Sequence, residues 1–315
     1  MTNRTDRKAA FSGIKKVVGN RGWITDPNDM KPFVTEWLKI LSGSCEMVVL
    51  PSSSSEVAQV VRICNSAGIP ITPQGGNTGM VGGAVPDDGI VLSTERLNKV
   101  RDLDVENATI TVESGCLLAD VQSAAAEAGF LFPLTLASEG SCRIGGNIAT
   151  NAGGNNTVRY GNTREQVLGL EVVMPDGRIW NGLRALRKDN TGYDLKHLFI
   201  GAEGTLGVIT AATLKTFPVY DETIVSMIKI NGPENAIKLL YIFKSVLGES
   251  VQAFELISKL GLEHLERGKF KFTDPFIPRA EWSILTEVSA SSNLNVRSAF
   301  ENVLSDALEK NIIED

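Results

Sequence analysis

Through its first two thirds the chain breaks its apolar residues into short runs closed by glycine, proline or polar clusters. The runs alternate between the two-residue period of strands and the 3.6-residue period of helices. Glu46 to Leu50 reads as a strand. Ser53 and Glu56 stand at the spacing of a capping box, and Val57, Val60, Val61 and Cys64 behind them share one face of a helix to about Ala67, ended by Gly68. Ile69 to Thr72 predicts a buried strand. Ile90 to Ser93 and Ala108 to Glu113 predict two more, the latter alternating as Thr109-Ile-Thr-Val-Glu. Leu117 to Ala128 is an alanine-rich helix stopped by Gly129. Gln166 to Met174 and Arg178 to Trp180 are strands joined by the turn Pro175-Asp-Gly177, and Val208 to Thr216 is one more.

Beyond Pro218 the texture changes to longer helical patterns and an excess of acid, which sets a domain boundary near Pro218 to Asp221. Thr223 to Ile230, Gln252 to Ile257 and Trp282 to Val288 predict strands; Pro233 to about Val246 and Asn295 to Glu309 predict helices. That alternation is an α+β sandwich of the split βαβ, ferredoxin-like kind. Such a sandwich returns a strand to its sheet after the last helix, yet only Asn311-Ile-Ile-Glu-Asp315 follows, so this domain reads as incomplete.

Glycine changes the picture most. Of 30 glycines, 22 lie from Gly68 to Gly207, in three dense loops: Pro73 to Gly83, Gly140 to Gly154, and Gly201 to Gly207. Glycine lets main-chain amides approach a ligand closely, which is how phosphates are cradled. No two glycines are separated by a single residue, so the Gly-x-Gly of a Rossmann fingerprint is absent. Gly268-Lys269 is followed by Phe270, so there is no Walker motif. The first loop carries no Lys or Arg and the second only Arg143. A pyrophosphate there would be met by backbone amides and by the hydroxyls of Thr78 and Ser141.

A net charge of −6 speaks against nucleic acid as a partner. No apolar run is long enough for a transmembrane segment. Cys45, Cys64, Cys116 and Cys142 have neither zinc nor disulfide-framework spacing and read as reduced, inert thiols. The N-terminus has no signal-peptide pattern, and a cytoplasmic location is expected ahead of a mitochondrial one.

With these residues in place, the stretch from about Cys45 to Pro218 resembles the FAD-binding domain of the vanillyl-alcohol oxidase and p-cresol methylhydroxylase flavoproteins, in their D-2-hydroxy-acid dehydrogenase branch. Six blocks carry the resemblance: Pro73-Gln-Gly-Gly-Asn-Thr-Gly-Met-Val-Gly-Gly-Ala-Val-Pro86, Gly140 to Gly154, Arg159-Tyr-Gly161, Leu168 to Val173, Arg187-Lys-Asp-Asn-Thr-Gly-Tyr-Asp-Leu195 and Phe199 to Thr210. The wording of Lys188 to Tyr193 is most similar to D-2-hydroxyglutarate dehydrogenases, then to D-lactate dehydrogenases.

The resemblance implies an α+β fold in which residues 1–220 are a two-subdomain FAD-binding domain of the p-cresol methylhydroxylase type. Residues 221–315 would be a partial substrate or cap domain. It also implies pyrophosphate binding by Gly75, Gly76, Asn77, Thr78 and Gly79, and by Ser141, Gly145 and Gly146. Asn151, Gly153, Tyr160, Glu203 and Ile209 would line the flavin and adenosine, with Pro73, Met80, Pro133, Ser138, Gly140, Asn147, Ala149 and Gly204 completing the cofactor site. Relatives that link flavin covalently use a histidine in the first loop; here that stretch is Gly75-Gly-Asn77, so FAD is expected to bind non-covalently, with Cys142 inert.

Oxidising a 2-hydroxy acid through flavin needs a base for the hydroxyl proton, a cation for the carboxylate, and a flavin to take the hydride. In the family branch the base and the ligands of a divalent metal such as zinc lie in a Gly-His-x-Gly-Asp-Gly-Asn-x-His segment and a later Glu-His pair, none of which is in this sequence. His197 and His264 have no partner at metal-ligand spacing. Tyr193 and Lys188 read as loop-positioning residues, and no catalytic base is assigned. Two readings follow: a D-2-hydroxy-acid dehydrogenase, or an FAD-binding subunit of a glycolate-type dehydrogenase completed by a partner chain. A nicotinamide-dependent flavin reductase and a non-enzyme are weaker readings. The resemblance also implies an electron-transfer flavoprotein or a quinone as electron acceptor, and either a homodimer or a partner subunit is consistent with the sequence.

Overall fold

A computed structural model describes residues 4–315. It divides into two compact units, the first running to Ala152 and resuming over Asn162–Phe217, the second made of Gly153–Gly161 and Pro218–Asp315.

In the first unit, one sheet sets Trp23–Ile24, Met47–Val49, Ile90–Ser93 and Ile71–Gln74 side by side in that order. Met47–Val49 and Ile71–Gln74 both run parallel to Ile90–Ser93. Parallel neighbours need a crossover that covers a face of the sheet, and the helix Ser54–Ala67 supplies it. Val57, Val60, Val61 and Cys64 are buried in one cluster with Ile14 and Val18 of the helix Arg4–Val18. The helix starts as its sequence dictates: Ser53 Oγ accepts from the Glu56 amide at 3.2 Å, and Glu56 Oε2 accepts from the Ser52 amide at 2.7 Å. Gly68 closes it in the left-handed conformation at φ 60°.

The second sheet of this unit is antiparallel, in the order Val100–Asp104, Thr109–Glu113, Val208–Lys215, Val167–Val173, Ile179–Gly182. The helices Leu118–Glu127 and Ile144–Ala149 give Leu118, Val121, Ile144 and Ile148 to its core. A buried polar junction ties helix to sheet. Glu171 accepts from Ser54 Oγ at 2.5 Å, Thr210 Oγ1 at 2.8 Å and Arg101 Nη2 at 3.2 Å. Burial pushes the Glu171 pKa up, but those three hydrogen bonds and the Arg101 charge outweigh it and hold the carboxyl below its ordinary value.

The second unit is an antiparallel sheet, Glu222–Ile230, Trp282–Ala290 and Val251–Ser258 in that order. Leu239 and Phe243 of the helix Pro233–Leu247 and Phe300 of the helix Val296–Glu309 fill its core. The sequence leaves this sheet short of a strand, and the structure supplies the missing rung. Ile313 bridges Ile230, the Glu314 amide donates to the Lys229 carbonyl at 2.9 Å, and the Lys229 amide donates to the Asp315 carbonyl at 2.6 Å. The last residues thus pair with the free edge of Glu222–Ile230 through an isolated bridge.

Three further features depart from the sequence reading. The strand expected over Ile69 to Thr72 lies at Ile71–Gln74, because Ile69 is still packing under the helix cap while Gln74 anchors the next loop. The helices Arg4–Val18 and Lys259–Arg267 have no counterpart in the apolar runs, since their faces are largely polar. The helix Ile144–Ala149 forms within a glycine loop, where propensity alone disfavours it.

Candidate functional site

The strand Ile71–Gln74 delivers the chain into the first glycine loop, and both ends of that loop are clamped. The buried Gln74 amide donates to the carbonyls of Phe33 and Ala84 at 2.8 and 3.1 Å, and Asn77 Nδ2 donates to those of Pro32 and Thr35 at 3.0 and 2.9 Å. A Cβ on Gly76 would lie 2.1 Å from the Ser141 carbonyl oxygen, so the first and second glycine loops meet backbone to backbone. Between the clamps, the main-chain amides of residues 75–79 donate to no partner among the described residues.

The second loop folds into the helix Ile144–Ala149. Gly145 is pressed against Ser114, where a Cβ would come within 2.7 Å of the Ser114 Cβ, while Gly146 has nothing within 4 Å of the same position. One glycine serves packing and the other leaves space. Asn147 is 6% exposed and its Nδ2 has no hydrogen-bond partner among the described residues, an orphan donor in a buried wall. The third loop closes over the second: the Glu203 amide donates to the Ala149 carbonyl at 2.9 Å and the Gly201 amide to that of Ile148 at 3.1 Å.

The three loops converge on one cleft of about 290 Å³, room for an organic ligand rather than an ion. Of the residues expected to hold a cofactor, Pro73, Gly75, Gly76, Asn77, Thr78 and Gly79 line it from the first loop. Ser138, Gly145, Gly146, Asn147 and Ala149 line it from the second, and Glu203, Gly204 and Ile209 from the third.

Others lie elsewhere. Met80 is 58% exposed outside the lining; Gly140 and Ser141 are exposed, and Ser141 Oγ donates to the Ser138 carbonyl at 3.2 Å. Pro133 is buried between the core residues Phe132 and Leu134, and Asn151 Oδ1 caps the Arg164 amide at 2.9 Å. Gly153 and Tyr160 belong to the second unit. The sequence reading missed Gln74, Val81, Thr94, Leu136, Thr150, Ala152 and Val208 in the lining. Gln74 and Val208 are strand residues and the others lie in loops or turns; Thr94 and Leu136 stand outside the glycine blocks, and only the fold brings those two there.

Arg143 and Glu203 are the ionisable side chains of the lining. Arg143 Nη1 donates to the Gly115 carbonyl at 2.5 Å, and its Nη2 is 3.9 Å from Glu95. Cys142 is buried in the apolar core. Burial pushes the Cys64 thiol up to about 12 and that of Cys116 to about 11, so both are poor nucleophiles near neutral pH. Tyr193 is 96% exposed, and His197 pairs with Asp194 at 3.3 Å and Arg164 at 3.1 Å. Among the described residues no group of three or more His, Cys, Asp or Glu could hold a metal, so the residues present do not fit the divalent ion that the resemblance implies.

The cleft suits a ligand rich in acceptor oxygens, because its wall presents unengaged amides and the orphan Asn147 donor with little net charge. Comparisons with known proteins agree. Residues 45–182 match the family described as FAD binding domain. The chain is 39% identical to a mitochondrial D-2-hydroxyglutarate dehydrogenase of Danio rerio over 93% of its length and 55% of that protein's. It is 43% identical to that of Bos taurus over 78% of its length and 45% of that protein's, and 36% identical to a D-2-hydroxyglutarate–pyruvate transhydrogenase of Saccharomyces cerevisiae over 92% and 58%. It thus spans about half the length of these relatives. Among solved structures, p-cresol methylhydroxylase with substrate bound superposes at TM-score 0.81 and 16% identity, over 99% of this chain and 66% of that one. An alkyldihydroxyacetonephosphate synthase does so at 0.79 and 19%, over 98% and 60%. At such identities these two show the fold alone. The cytoplasmic location expected from the N-terminus is corrected by the relatives, whose names place them in the mitochondrion.

Proposed function

We propose, from the FAD-binding domain to which residues 45–182 belong, that this chain binds FAD non-covalently and serves the oxidation of a D-2-hydroxy acid to its 2-oxo acid. D-2-hydroxyglutarate is the first candidate and D-lactate the second. The observation that carries the cofactor half is the convergence of three glycine loops on one cleft with unengaged donors. The substrate half rests on relatives named for D-2-hydroxyglutarate.

The chain's own contribution is binding and orientation. The amides of residues 75–79 and the open space at Gly146 would hold the pyrophosphate, with Arg143 as the nearby cation and Asn147 Nδ2 donating to a cofactor oxygen. Gly76 and Gly145 let the walls close. Neither histidine lines the cleft and Cys142 is buried, which supports a dissociable cofactor. The bound flavin itself supplies a two-electron acceptor for hydride.

Among the described residues the lining offers no base beyond Glu203 and no cation beyond Arg143. This favours, as a second reading, an FAD-binding subunit whose substrate groups come from another polypeptide. An electron-transfer flavoprotein or a quinone would then take the electrons, in the mitochondrion. Anaerobic absorption of the flavin-loaded chain, before and after D-2-hydroxyglutarate and then D-lactate, tests both. Bleaching by a D-hydroxy acid supports the dehydrogenase reading, persistent oxidised bands support the subunit, and a chain that retains no flavin overturns the proposal.

A further inference from the structure

The third glycine loop turns on left-handed backbone, with φ 81° at Gly201, 51° at Glu203 and 78° at Gly204. Glycine takes that conformation freely, whereas a residue with a Cβ meets a steric cost there. The fold holds Glu203 in it. The Glu203 amide donates to the Ala149 carbonyl at 2.9 Å, and the Thr205 amide and Oγ1 both donate to the Ala202 carbonyl, at 3.0 and 2.6 Å. A side chain kept where glycine fits best points to a duty for that side chain.

Its reach shows what the duty is. A Cβ on Gly83 would lie 3.0 Å from Glu203 Oε2, so the carboxylate extends from the third loop to the far end of the first, and both residues line the cofactor cleft. Among the described residues the carboxylate has no hydrogen-bond or ion-pair partner, and it is the one carboxylate of the lining. The amides of residues 75–79, Arg143 and Asn147 Nδ2 offer donors to a ligand. An ionised carboxylate does the reverse and only accepts.

We propose, building on the reading of this cleft as an FAD site, that Glu203 accepts hydrogen bonds from a vicinal pair of cofactor hydroxyls and so selects a sugar-bearing ligand. FAD carries such pairs on its ribityl chain and on its ribose. Two carboxylate oxygens match two neighbouring hydroxyls, as acidic side chains meet ribose in other dinucleotide folds, and hydrogen bonds to an ionised acceptor are the stronger kind. The competing account makes Glu203, which is exposed, a solvated charge. It predicts the opposite sign, because a charge beside a pyrophosphate would only repel and its removal would tighten binding.

Titration of the full chain with FAD, followed by flavin fluorescence, tests this, with FMN and ADP as displacing ligands. FMN has the ribityl hydroxyls without the ribose and ADP the ribose without the ribityl chain, while both carry phosphate. Glu203→Ala is expected to bind FAD at least about tenfold more weakly. It should also lose affinity for one probe: FMN if the ribityl pair is held, ADP if the ribose pair is. Glu203→Gly removes the same carboxylate but frees the backbone, so without flavin it should melt no lower than the wild type. A lower melting temperature would make the side chain a support of the fold, against the proposal. Unchanged or tighter FAD binding by Glu203→Ala overturns it, as does an equal loss for FMN and ADP, which would mark a general disturbance of the phosphate cradle. A wild type that binds no FAD refutes the cofactor reading itself, whereas a wild type that binds FAD no better than Glu203→Ala refutes this inference alone.

Discussion

Gly76 and Gly146 lie on the same cleft, yet a Cβ on the first would strike the Ser141 carbonyl whereas one on the second would meet nothing within 4 Å among the described residues. The two therefore separate stability from cofactor binding. Gly76→Ala forces two backbones apart and is expected to cost about 1–3 kcal/mol of stability. Gly146→Asp meets nothing in the protein but places bulk and negative charge where a pyrophosphate would lie, so it should unfold close to the wild-type temperature and lose its flavin. Absorption spectra and thermal melts of the two variants, side by side, check this. Retained flavin in Gly146→Asp would show that the cradle lies elsewhere. Both glycines are visible in the sequence as members of dense loops, but their different duties are not, because the Ser141 carbonyl that distinguishes them is 65 residues away from Gly76. Asn77 makes the same point: its place in the motif suggests a ligand contact, and its Nδ2 in fact clamps the loop to Pro32 and Thr35.

At the scale of elements, local chemistry predicts local structure well. Ser53, Glu56 and Gly68 bound the helix Ser54–Ala67, and the alternation at Thr109 to Glu113 marks its strand, because caps and periodicity act within a few residues. What joins elements is harder to read. Glu171 sits in an apolar strand pattern, Val-Leu-Gly-Leu-Glu-Val-Val, and only the fold shows that it faces Ser54, Arg101 and Thr210. Its lowered pKa has a consequence for stability. A carboxylate depressed on folding contributes above its unfolded value, near 4.5, and that contribution is lost as the pH falls from there through the lower folded value. Glu171→Gln removes a charged acceptor from a largely buried site and is expected to cost about 2 kcal/mol at neutral pH. The gap in melting temperature between wild type and variant should narrow below about pH 4.5. Parallel melting curves from pH 7 to pH 3 would refute the role assigned to this junction.

At the scale of the whole molecule, the chain does not respect sequence order. Residues 153–161 leave the first unit and pack with the second, where Arg159 Nη1 donates to the Ser289 carbonyl at 2.9 Å and its guanidinium stacks 4.2 Å over the Tyr220 ring. Nothing in the local pattern of Gly153 to Gly161 announces that excursion, because its partners lie over 60 residues later. The C-terminal edge is a second long-range feature hidden from periodicity: Asn311-Ile-Ile-Glu-Asp315 is too short to read as a strand, yet Ile313 is 4% exposed and joins the core with Ile230. Its burial, rather than the exposed Lys229–Glu314 ion pair at 2.9 Å, should hold the edge, since surface pairs contribute about 0–1 kcal/mol. Ile313→Ala is accordingly expected to destabilise the second unit by about 2 kcal/mol, as truncation of a buried Ile does. Glu314→Gln should have little effect. Native-state hydrogen exchange reads the difference directly: the Lys229 and Glu314 amides, which form the rung, should lose protection in Ile313→Ala and keep it in Glu314→Gln, while amides of the Val208–Lys215 strand in the first unit exchange as in the wild type. Equal loss in both variants would mean that the ion pair, and not the buried side chain, holds this edge.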